Sequence, residues 1–190
     1  MKCNAINNGG STLVILVMTI AITMVLGASL LIVTMINFKI KKTNTEIRQS
    51  LYMSESGLNN AFVEAYDLVS NGIYDSIEKA EEYLKLYPLN EFEAENIFIN
   101  NYKLFITGQI ENKITNNSNP YVRVTNRGTL LFIADKLIVC VQSKYFNESD
   151  IVKTTSFNLI IMVPDYNDAI NNTIDINTLL KPENWVLSSK

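Results

Sequence analysis

The chain contains no histidine, which removes the commonest general base and the commonest metal ligand together. Cysteine is almost as scarce. Cys3 and Cys140 lie on opposite sides of a long apolar run, and Cys140 falls in the strand-like stretch "LIVCVQ", where a buried structural thiol is expected. Enzyme classes built on imidazole or thiol chemistry therefore have little to stand on. No nucleophile elbow, phosphate loop or metal-ligand spacing is present either. The chain reads as a non-enzyme with no catalytic residue, no cofactor and no metal.

Charge is missing from Cys3 to Phe38, and no proline occurs before Pro88. The formal net charge is −3 over 190 residues, but it is unevenly spread. From Gln49 onward 11 basic residues stand against 18 acidic ones, a balance of −7, while Lys39, Lys41, Lys42 and Arg48 cluster just past the uncharged run. An acidic body is a poor match for a polyanion, since nucleic-acid affinity rests on basic side chains that displace counterions. No nucleic-acid partner is expected.

What the uncharged region does contain is apolar side chains. Leu13 to Phe38 is 26 residues, roughly 39 Å as a helix, against about 30 Å for a hydrocarbon core. A lipid bilayer is the expected surrounding. A cleavable secretory signal has a shorter apolar stretch, about 7–15 residues, closed by a small-x-small site on its far side. Here the far side reads "INFKIKKTNTE", and Gly27, Ala28 and Ser29 fall inside the run.

The near side is a short polar leader, "MKCNAINN", then Gly9 and Gly10, then Ser11 and the apolar run without a break. This resembles the class III leader of type IV pilins and their relatives. The resemblance implies cleavage by a prepilin peptidase between Gly10 and Ser11, with the apolar helix retained first as an anchor and later as part of a filament core. Two features depart from that pattern. Lys39, Lys41 and Lys42 outweigh Lys2, so the positive-inside rule places the body in the cytoplasm, whereas the resemblance places it outside the membrane. Position five of the mature chain, where major pilins carry glutamate, is Ile15.

Beyond Lys42, Ile47, Leu51, Leu58, Phe62, Ala65 and Val69 recur at helical spacing, predicting one face of a helix that continues to a glycine stop in "SNG", Ser70 to Gly72. This half includes "LYMSESGLNNA", Leu51 to Ala61. The stretch resembles the aromatic-leucine-alanine-glutamate-x-glycine-leucine pattern that follows the apolar helix in PilX-type minor pilins, with Tyr52, Glu55, Gly57, Leu58 and Ala61 in register and Met53 and Ser54 in place of leucine and alanine. Glu55 reads either as a solvated carboxylate or as an assembly contact. Gly57 costs about 1 kcal/mol against alanine inside a helix, so close approach by another element is expected.

Asp75 to Leu86 predicts a short separate helix ended by Pro88, and "LNEFEAENIFINN" a further one. Four strand-like runs follow at Tyr102–Glu111, Tyr121–Thr125, Leu130–Phe146 (two strands or one long bent one) and Ile151–Val163. In the tail, Asp165, Asn167, Asp168 and Asp175 cluster side-chain oxygens, but their spacing does not fit a twelve-residue calcium loop, and a polar turn is expected. Trp185 reads as a packing residue that anchors the tail to the sheet.

The expected fold is α+β, a long N-terminal membrane-spanning helix packed on an antiparallel sheet, which is also what the pilin resemblance implies. The boundaries are a leader at 1–10, a membrane and filament-core segment at 11–38, an amphipathic helical segment at 39–72 and a head at 73–190. The resemblance implies a minor pilin placed at the filament tip or at initiation. It would reside first in the cytoplasmic membrane and then in a surface pilus, with its C-terminal domain extracytoplasmic. Its implied partners are other pilin subunits, prepilin peptidase and the inner-membrane assembly platform. The alternative is an uncleaved single-pass anchor for an extracellular sensing or binding domain.

Overall fold

The computed structural model describes the backbone of residues 9–189 and the side-chain surroundings of residues 12–187. The chain divides into two compact units, Met1–Glu46 and Ile47–Lys190. Helix α1, Gly9–Leu86, contributes to both.

In the first unit α1 is apolar on every side from Leu13 to Phe38, and its large apolar side chains from Leu13 to Ile40 are all exposed. The hydroxyls within this stretch are satisfied by the helix itself. Thr19, Thr23, Ser29 and Thr34 donate to the carbonyls of Leu16, Ile20, Val25 and Leu30 at 2.8–2.9 Å. Back-bonding of this kind removes the polar cost that a hydroxyl otherwise carries into an apolar surrounding.

The second unit is an α+β fold built from the remainder of α1, α2 (Glu91–Ile114), β1 (Tyr121–Val124), β2 (Lys136–Phe146), β3 (Val152–Met162), the short helices α3 (Tyr166–Ile170) and α4 (Ile176–Leu179), and β4 (Leu180–Ser189). The sheet is a four-stranded antiparallel meander in the order β1-β2-β3-β4. Residues alternate along β2 and β3, so Leu137, Val139, Val141, Phe157, Leu159 and Ile161 face the helices and are fully buried.

The helix that was expected to stop at Gly72 continues to Leu86. Gly72 is a contact position: a methyl group there would lie 3.1 Å from Phe105 Cδ1 and 3.2 Å from Ile106 Cδ1. Asp75–Leu86 is thus the last three turns of α1, and the chain turns only at Tyr87–Asn90, around Pro88. α1 and α2 run antiparallel, tied by Glu64–Lys113 (2.9 Å), Asp75–Asn101 (2.7 Å) and Tyr83–Asn90 (3.0 Å).

Tyr102–Glu111, expected as a strand, is helical. Its β-branched and aromatic residues are outvoted by a strict four-residue repeat: Ala94, Phe98, Tyr102, Ile106, Ile110 and Ile114 form the buried stripe of α2. Glu91 and Glu93 in the first turn and Lys113 in the last complement the helix dipole. Tyr102 is fully enclosed, donates to Met162 O at 3.2 Å, and burial pushes its phenol pKa well above the usual tyrosine range.

Leu130–Phe146 also shortens. Beyond Val124 the Asn126 carboxamide takes over the edge of β2, accepting from Cys140 N (2.9 Å) and donating to Ile138 O (2.8 Å), so Leu130–Asp135 is not needed as a strand. The tail supplies the fourth strand instead. β4 carries Pro182, which only an edge strand tolerates, and its register shifts opposite Ser156–Asn158. Trp185 lies on β4 with its ring 5.0 Å from Phe157, yet it is half exposed.

Candidate functional site

Residues 1–8, and with them most of the expected leader and Cys3, lie outside the described residues. The backbone of Gly9, Gly10 and Ser11 is helical and continues into the apolar run without interruption. Ile15 follows one turn later, 58 % exposed.

The motif residues in the second unit divide into two faces. Ser54, Gly57, Leu58 and Ala61 are buried against the sheet, while Tyr52 is exposed and Glu55 half buried. Ser54 Oγ and Thr155 Oγ1 share a buried hydrogen bond of 2.7 Å that joins α1 to β3. Gly57 faces β2 and the loop before β1. A methyl group there would collide with Ser143 Oγ and stand 3.1 Å from the Pro120 ring, beside the cis Asn119–Pro120 bond. Glu55 makes no ion pair among the described residues.

The face presented to the sheet differs from the expected stripe. Ile47 and Leu51 are only half buried, whereas Ser50 and Ser54 are fully buried. Small side chains take these positions because the helix approaches the sheet closely, and the Ser54 hydroxyl is accepted there because Thr155 Oγ1 is its hydrogen-bond partner. Serines at four-residue spacing ahead of Leu58 were the available signal, and reading only apolar residues passed over them.

No protein-family model, no curated protein and no solved structure matches this chain.

Cys140 departs from expectation. It is a free thiol on the outward face of β2, half buried rather than enclosed, because the inward positions are its neighbours Val139 and Val141. The tail oxygens are spent on helix caps: Asp165 accepts from Asn167 N and Asp168 N, and Asp175 accepts from Asn177 N. Among the described residues no cluster of metal-ligating side chains forms. Glu64 raises the pKa of Lys113 through its hydrogen bond and charge, on the solvated side of the α1–α2 pair.

Proposed function

We propose that this chain is a minor, pilin-like filament subunit. It is held in a lipid bilayer by the N-terminal part of α1, cut by a prepilin peptidase after Gly10, and then packed through the same helix against other pilin subunits on an assembly platform, with its C-terminal unit outside the cytoplasmic membrane. One observation carries this reading. A single helix includes the glycine pair, exposes an uncharged apolar surface from Leu13 to Phe38, and then closes a head domain through Ser54, Gly57, Leu58 and Ala61. Such a surface requires an apolar surrounding. A discardable signal has no reason to be continuous with the core helix of the domain it exports.

The processing step provides the test. Coexpression with a prepilin peptidase, followed by intact-mass measurement, is expected to show loss of residues 1–10. Gly10→Leu is expected to block that loss. An unprocessed N-terminus in the parent chain, under conditions where a control prepilin is cut, would leave the uncleaved single-pass anchor as the correct description.

A further inference from the structure

The outward face of the sheet holds a cleft of about 580 Å³ around β1 and β2. Arg123, Arg127, Lys144, Gln142, Tyr121 and Phe146 line it. In a body with a balance of −7, this is an unusual concentration of cations. Glu111 neutralises Arg127 at 2.8 Å, but neither Arg123 nor Lys144 has a carboxylate partner among the described residues.

The cations are also held in place. Gln142 Oε1 accepts from both Nε (3.1 Å) and Nη2 (2.8 Å) of Arg123, its cross-strand partner. Two of the five guanidinium N–H groups are used in this way, which leaves three, including an outer fork of the kind that binds a carboxylate through two parallel hydrogen bonds. Lys144 Nζ is positioned 4.6 Å over the Phe146 ring, and Tyr121 meets that ring edge-on at 5.6 Å. Tyr121 and Phe146 remain 45 % and 41 % exposed. An oriented fork, a fixed ammonium, exposed ring surface and a carboxamide with its NH2 donor free make up a built receptor surface.

We propose that this cleft binds an acidic saccharide, a uronic-acid unit whose carboxylate pairs with Arg123 and Lys144 while its C–H face lies on Tyr121. Two observations disfavour larger acidic ligands. A long polyanion would extend from the cleft across the acidic body, so a ligand with compact charge is favoured. An extended acidic peptide would dock best on a free strand edge, but at Val122 that edge is closed by Asn116, which exchanges both backbone hydrogen bonds with it (3.0 and 2.9 Å).

Binding of digalacturonate to the full-length protein in detergent micelles, followed by isothermal calorimetry, tests the assignment. Saturable binding is expected, weakened about tenfold or more by Arg123→Gln and by Lys144→Gln, because each removes a charge-assisted contact. Lys181→Gln changes the net charge equally on β4, outside the cleft, and is expected to bind as the parent does. Melting curves should show that all three variants are folded. The proposal is overturned by absence of saturation, by equal binding of a neutral digalactoside, by an equal loss in Lys181→Gln, or by tighter binding of an acidic hexapeptide or oligodeoxynucleotide.

Discussion

Gly57 is where two physical effects make opposite demands on one residue. Helix propensity favours alanine over glycine in a helix interior by about 1 kcal/mol, while the surroundings leave no room for a methyl group beside Ser143 Oγ and the Pro120 ring. Overpacking of a buried contact costs about 1–3 kcal/mol, so the steric term wins and Gly57→Ala is expected to lower the melting temperature. Ser143 allows a second measurement. Its Oγ is buried without a hydrogen-bond partner among the described residues, and removing an unpaired buried hydroxyl costs little. Ser143→Ala alone should be neutral or slightly stabilising, and it should recover most of the Gly57→Ala loss when the two are combined. Additive effects in that double-mutant cycle would mean that Gly57 and Ser143 do not compete for the same space.

At the scale of elements, two further glycines separate packing from propensity. Both Gly72 and Gly108 lie inside helices, yet a methyl group at Gly108 meets nothing within 4 Å, whereas one at Gly72 meets Phe105 and Ile106 of α2. Gly108→Ala is expected to stabilise by about 0.5–1 kcal/mol, and Gly72→Ala to gain less or to lose stability, as read by thermal melts. Equal gains at both sites would show that α2 does not depend on Gly72 for its approach. The same position explains what the sequence conveyed and what it concealed. Gly72 looks like a helix stop because local propensity is all that a short window reports, and only the distant Phe105 reveals it as a contact. β2 and β3 were legible from their alternation. Tyr102–Glu111 is misleading because its residues suit a strand, although the four-residue repeat from Ala94 to Ile114 is present once the window is lengthened. β4 was hidden by Pro182 and by a register shift, both of which depend on its being an edge strand. Of the candidate sites, the glycine pair and Gly57 were visible in sequence. The Ser54–Thr155 bond and the Arg123–Gln142 pair were not, because the first depends on how α1 packs on the sheet and the second on strand register.

At the scale of the whole molecule, the distribution of charge bears on where such a subunit stands in a filament. The proposed cleavage after Gly10 would create a new terminal amine on Ser11, at the head of an apolar helix. Inside a helix bundle an unpaired charge costs several kcal/mol even after relaxation, so on the proposed reading each subunit docked behind another must offer a carboxylate to the amine of the subunit ahead of it. This chain has no carboxylate to lend: Ile15 occupies the position one turn from the cut, and the first acidic residue of any kind is Glu46. A subunit of this type placed within the shaft would leave an adjoining amine unpaired at every insertion. At the end of the filament where no amine approaches it, the missing carboxylate costs nothing. The chain is therefore expected at the tip, in low copy number. Immunogold labelling of purified filaments should place it at one end, and regular decoration along the shaft would refute the assignment. Ile15→Glu restores the carboxylate and is expected to move label into the shaft, an outcome that a merely scarce shaft subunit would not give.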